Sequence, residues 1–370
     1  FTNYNNFGLP NENFSSRITF QTSKKSFFLN FDTLIINQNL NILESFIKID
    51  TKFIDYKIGK YYRDFSNYLN DYLSSGHMLI SNNAQPMPKI GVLKNIVLYK
   101  RKKYEFDFGL SHAMFDKNDY YSKNPFLHEK FIYFKVPMNE NSFFQIGFVH
   151  EAIWGGETVI DGESTGSTLK DFLKVFISSD GPKIDGSKHA NALGNHLGIW
   201  DFVYINNNRI NSYKIYYQHI FEDTSGLRFH NGTDGLWGFE ISNNLNNFNI
   251  LIELLTTTNQ DLNSDYLREG YYNHSTYAKG WSYKNFIIGN PHINNLTIIP
   301  LDVIHVGIEK EFKNNFKLQV LTSRRIDKSD SIIYDFIFKK KIKDEFEIKL
   351  GLSSANVKDI LSFAVNWQLD

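Results

Sequence analysis

Over most of its length this chain alternates apolar and polar residues one by one. In 361–369, Leu361, Phe363, Val365, Trp367 and Leu369 oppose Ser362, Ala364, Asn366 and Gln368. In 104–111, Tyr104, Phe106, Phe108 and Leu110 oppose Glu105, Asp107, Gly109 and Ser111. In 212–221, Tyr213, Ile215, Tyr217 and Phe221 oppose Ser212, Lys214 and Gln218. Period two belongs to β-strands, whose successive side chains point to opposite faces. The 33 Phe and 21 Tyr residues favour strands as well. The chain is therefore expected to be all-β, with one face of each strand in an apolar medium and one in a polar medium.

Strand patterns fall at 17–22, 27–36, 41–50, 52–60, 89–99 and 104–113. They continue at 130–136, 142–154, 196–205, 209–221, 236–242 and 248–256. A weak one at 283–290 precedes 302–310, 316–323, 331–338, 346–353 and 361–369. That makes about eighteen strands, many near the ~9–11 residues that a tilted membrane strand needs. The expected fold is a transmembrane, antiparallel, up-and-down β-barrel with an apolar outside and a polar inside. A soluble sandwich or propeller is the alternative. Two features oppose it. The polar faces carry His305, Glu309, Asp335, Lys317 and Glu347, which suits a wet or filled lumen, and the apolar faces lack gatekeeper charges. No linker or repeat divides the chain, so residues 1–370 are expected to form a single domain.

Lys+Arg and Asp+Glu are 40 each, so no global field recruits nucleic acid. Cysteine is absent, which excludes disulfides and thiolate chemistry. Gly162-Glu163-Ser164-Thr165-Gly166 matches a G-x-S-x-G elbow but lies in a polar loop, not between a buried strand and a helix. His128-Glu129 and His150-Glu151 lack metal-ligand spacing. No catalytic residue, cofactor or metal is expected.

Five long connections, 61–88, 114–129, 155–195, 222–235 and 257–282, are separated by short turns at 100–103, 137–141, 206–208 and 243–247. Connections of an up-and-down barrel alternate between its ends, so all five share one end. Loop length alone would make that end extracellular. Counting eighteen strands back from a periplasmic Asp370 makes it periplasmic, and the five connections are expected to plug that mouth. One of them holds a helix: Leu169, Phe172, Leu173, Phe176 and Ile177 keep helical spacing behind a Thr168/Asp171 capping box.

These connections also carry a family resemblance. SNNAQPMPKI (81–90), HEAIWGGE (150–157), HANALGNHLGIWDF (189–202), FEDTSGLRFHNGTDGLWGFE (221–240) and YYNHSTYAKGWSY (271–283) resemble the Wzi family of capsule-assembly proteins. IGKYYRD (58–64) is similar to that family's motif at the end of an early strand. The resemblance spans 58–290; the flanks match only as generic strands. It implies an eighteen-stranded outer-membrane barrel with helices occluding the periplasmic mouth. The implied role is a non-enzymatic surface lectin that retains capsular polysaccharide, secreted by a signal peptide not present in this chain. The ending Trp367-Gln368-Leu369-Asp370 departs from the terminal aromatic of many such barrels.

Candidate contacts follow from side-chain type. Trp154, Trp200, Trp237 and Trp281 sit at or beside the polar connections, where they could stack on sugar rings, anchor the plug or form an interfacial belt. Trp367 is expected to face lipid. Arg228 among Glu222, Asp223 and Asp234 is expected either to tie the plug together or to grip an acidic sugar, with His274 nearby in the last long connection. Arg101, Lys102, Lys103 and Asn207 fall on turns of the opposite end, where they could meet polysaccharide or lipopolysaccharide phosphate, although solvated turn residues are the more common reading. Beyond glycan and lipid, partner proteins of an envelope complex, or a gated-channel role for glycan or small solutes, are the competing expectations.

Overall fold

A computed structural model describes residues 15–367 apart from 37–38, 63–71, 99–102, 117–119, 160–165, 180, 182–191, 223, 260–268, 327–331, 344–345 and 356–357. Seventeen strands form one antiparallel sheet. It begins with β1 (Ser15–Lys24), β2 (Phe27–Ile36), β3 (Asn39–Ile49), β4 (Asp55–Lys60), β5 (Pro88–Leu98) and β6 (Tyr104–Met114). After the short β7 (Tyr121–Lys123) come β8 (Phe126–Pro137) and β9 (Ser142–Trp154). β10 (Glu157–Thr158), which pairs with β7 outside the main sheet, and helix α1 (Leu169–Phe176) follow. β11 (Asn195–Asn207) and β12 (Asn211–Phe221) lead through α2 (Thr224–Leu227) to β13 (Gly235–Asn243) and β14 (Phe248–Thr256). β15 (Ser282–Tyr283) and β16 (Phe286–Ile287) form a separate hairpin. β17 (Asp302–Phe312), β18 (Phe316–Arg325), β19 (Ile332–Lys343), β20 (Phe346–Ala355) and β21 (Lys358–Trp367) complete the wall.

Each wall strand bonds to the next wall strand in the chain, the meander that alternation predicts. Register keeps the two faces consistent across strands: Asp201 lies opposite Gln218 on one face, and Trp200 opposite His219 on the other. Tyr56, Ile58, Ile132, Ile215, Ile252 and Ile304 are exposed large apolar residues on the outer face, a distribution that suits lipid contact. No helix is long and apolar enough to cross a membrane.

The weak strand expected at 283–290 is not part of the wall. β14 pairs directly with β17, and 282–287 folds back on itself. Lys284 and Asn285 have φ of 51° and 67°, the left-handed pair that a tight hairpin turn needs. Removing that strand also removes the parity step that placed the long connections in the periplasm. Within the described wall, the long connections still share one end with the start of β1.

They do not all enter the lumen. Residues 72–88 and 270–301 do, and their core holds Leu73, Met78, Leu79, Tyr272, Tyr277 and Trp281, all buried. Trp281 Nε1 donates to Leu79 O (2.8 Å), Ser81 N to Ile288 O (2.7 Å) and Asn290 N is bonded to the Tyr272 hydroxyl. In contrast, α1 packs on the outer face. Its Val175 meets Ala152 and Trp154, with Phe172 and Phe126 beside them. Those β9 residues alternate outward because Glu151 and Ile153 take the inward positions, Glu151 opposite Glu129 in register. The Thr168/Asp171 capping box forms as expected. The outward-facing Lys130 reaches Phe176 O at the helix C-terminus, where a cation satisfies both the free carbonyl and the helix dipole.

Candidate functional site

The lumen has two halves. In the plugged half, the wall supplies buried polar side chains to the backbone of residues 72–79. Glu253 accepts from Ser74 Oγ (2.7 Å), from Ser75 N (2.7 Å) and from the Tyr216 hydroxyl. Gln218 Oε1 accepts from Met78 N (3.1 Å), and a ring nitrogen of His305 is bonded to Leu73 O (2.6 Å). All three are buried, so a plug segment with no helix or strand of its own is held through wall side chains. Wall glycines make room for large neighbours: Gly238 lies opposite Tyr216, whose ring occupies the space a Cβ would need.

Towards the short turns the inner wall carries charges of both signs. Lys135 pairs with Glu105 (3.1 Å), Lys214 with Glu240 (2.8 Å) and Lys317 with Glu309 (3.2 Å). Glu309 also accepts from Asn249 Nδ2 (3.3 Å), and Lys135 Nζ stands 4.2 Å from the Phe143 ring centroid. Apart from the more buried Glu240, these side chains are partly exposed, so they form a vestibule of interleaved donors and acceptors over an aromatic surface. Such a surface suits a polyhydroxylated ligand better than an apolar one. The sequence placed Glu309 and Lys317 on the polar face but could not pair them, because the partners lie on different strands.

The named candidates divide among three places. Trp281 is at the plug core. Trp154, Trp200 and Trp237 all face outward. Trp154 is buried under α1, its ring 5.5 Å from those of His112 and Phe172. Trp200 Nε1 donates to Leu227 O (3.3 Å) as the 222–234 connection folds over the outer rim. Trp237 is 38% exposed, stacks on Tyr217 at 3.8 Å and donates to Thr233 O (3.1 Å). His219 stacks on Phe229 (4.1 Å) beside them. This grouping has the position of an interfacial aromatic belt.

Arg228 is exposed, and among the described residues no ion pair joins it to Glu222 or Asp234. Asp234 turns into the rim instead, where Oδ2 accepts from Tyr271 (2.6 Å) and Oδ1 from Asn259 N (2.8 Å). Burial pushes its carboxyl up to about 6. His274 closes a turn, its Nδ1 accepting from Thr276 N (3.2 Å) and Tyr277 N (3.3 Å), and burial lowers it to about 4. Lys103 and Asn207 are exposed on the short-turn end. Arg101, Lys102, Ser164 and Asp223 lie outside the described residues, as does the side chain of Trp367. Among the described residues, no group of three His, Asp or Glu could hold a metal ion.

The family model for capsule assembly protein Wzi matches residues 3–351. The chain belongs to the Wzi family. A solved Escherichia coli structure, Wzi, described as an outer-membrane protein involved in group 1 capsule assembly and a carbohydrate-binding β-barrel, is similar in fold. It shares 12% identity with a TM-score of 0.63, over 96% of this chain and 79% of that one. Pseudomonas aeruginosa OccK5 aligns at 8% identity and TM-score 0.46, over 95% of each chain. Vibrio cholerae OmpT, with loop L8 deleted, aligns at 9% and 0.34, over 95% of this chain and 88% of that one. No curated protein matches by sequence. The Wzi-family chain is thus an all-β outer-membrane barrel whose lumen is filled at one end and charged at the other.

Proposed function

We propose that this Wzi-family barrel is a non-enzymatic, lectin-like protein that holds capsular or related polysaccharide at the cell surface. The family match across residues 3–351 carries this reading. The vestibule supports it: Lys135, Glu105, Lys214, Glu309 and Lys317 offer alternating donors and acceptors beside Phe143. The short-turn end faces the medium in this reading. Its described turns and strand ends carry Lys25, Lys52, Lys103, Lys313, Lys340 and Lys341. Their charge matches acidic glycan or lipopolysaccharide phosphate, and screening by salt weakens any such contact. A channel is disfavoured by the plug that Glu253, Gln218 and His305 bind.

A capsule-retention assay tests the role. In a deletion strain, polysaccharide is expected to be made in normal amount but to appear in the medium. Complementation by Lys135→Glu/Lys317→Glu is expected to restore the barrel but less than half of the cell-bound glycan. Unchanged cell-bound glycan in the deletion strain refutes the role. Full rescue by the double variant refutes the vestibule.

A further inference from the structure

The outer wall beside α1 holds a cavity of about 520 Å³ lined by Val92, Leu110, His112, His128, Trp154, Phe172 and their neighbours. Its position is what gives it meaning. His112 and His128 are cross-strand partners on the outward face, in phase with Leu110, and so lie on the lipid side of the wall. In the cavity lining Ile90 is 61% exposed, and α1 with its C-cap presents Leu169, Leu173 and Ile177 at 75, 56 and 70%. An eight-residue helix that buries Val175 and leaves three large apolar side chains outside has a second apolar partner, and on a barrel wall that partner is the bilayer.

We infer that the cavity holds one acyl chain of a membrane glycerophospholipid, clamped between α1 and the wall. The lining is mainly hydrocarbon and aromatic, and it is continuous with the surface that meets lipid tails. Trp154 Nε1 and both ring nitrogens of the fully buried His128 have no hydrogen-bond partner. A buried polar group without a partner costs free energy, and the ester carbonyl of a lodged chain supplies an acceptor at this otherwise apolar site. Charge selects the lipid. Near the cavity Lys170 and Lys174 bracket Asp171, and Lys130 is committed to the end of α1. The cationic turns that would match the clustered phosphates of a lipopolysaccharide lie at the other end of the barrel.

Native mass spectrometry of the full-length chain, extracted in mild detergent, tests the proposal. One glycerophospholipid-mass adduct per chain is expected to survive delipidating washes. Leu110→Trp, which fills the cavity, is expected to lower its occupancy at least tenfold, and Trp154→Phe to lower it less. Folding of each variant is checked by heat-modifiable gel mobility. A diazirine-tagged acyl phospholipid in vesicles gives a second measurement on the unaltered protein. Crosslinks are expected to concentrate in the peptides around 110–112 and 168–172. The proposal fails if no adduct survives, if its mass is that of lipopolysaccharide, if folded Leu110→Trp retains it, or if crosslinks spread evenly around the wall.

Discussion

Asp234 and His274 occupy the same plugged mouth but respond to acid in opposite directions. Burial raises the Asp234 carboxyl from 3.8 to about 6, so the folded rim takes up a proton that the unfolded chain does not. Its contribution to stability therefore grows as pH falls through 6 and levels off near 4. His274, lowered from 6.5 to about 4, contributes above pH 6.5 and loses that contribution as pH falls towards 4. Replacing Asp234 separates the two. Between pH 7 and 5 the Asp234 linkage amounts to about tenfold, or roughly 1.4 kcal/mol. Hydrogen exchange at 257–259 and 269–275 is expected to show the ratio of wild-type to Asp234→Asn protection rising by about that factor on acidification. A ratio independent of pH would refute the assignment. The sequence marked Asp234 as part of an ion-pair cluster with Arg228. Its true partners, Tyr271 and Asn259, come from another connection, and nothing in the local sequence announces them.

At the scale of elements, alternation located the wall strands well because each is bounded on both faces by different media. It failed at 283–290, where an apolar run in a connection packed on the plug core imitates a strand while the exposed Lys284 and Asn285 reverse the chain. It also misjudged α1. Helical spacing found the stripe of Leu169, Phe172, Leu173 and Phe176, but a stripe does not say whether protein or lipid covers it. The segment 72–79 has no periodicity at all, and it is held by Glu253. Glu253→Ala leaves the Ser74, Ser75 and Tyr216 donors without their acceptor, at about 1–3 kcal/mol for each one that finds no other. In planar bilayers the wild-type chain is expected to pass no steady current, and the variant to show intermittent openings. Equal silence or equal conduction in both would contradict a plug held from the wall.

At the scale of the whole molecule, the charge at each end bears on the membrane side it faces. The cationic short turns favour the outside for that end, with the plug facing the periplasm. The chain contains no cysteine, so single substitutions report without background. Asn207→Cys at a short turn is expected to react with a membrane-impermeant maleimide on intact cells. Ser275→Cys in the plug connection is expected to react only after lysis. The opposite pattern would invert the molecule and move the vestibule away from the capsule. Residue order alone determined that this chain is a β-wall with one lipid face and one polar face, because period two is a local property of the backbone and solvent enforces it strand by strand. Tertiary structure decided which connections fill the lumen and which clasp the outside, since that choice depends on contacts between segments up to 247 residues apart, such as Tyr72 with Gln319.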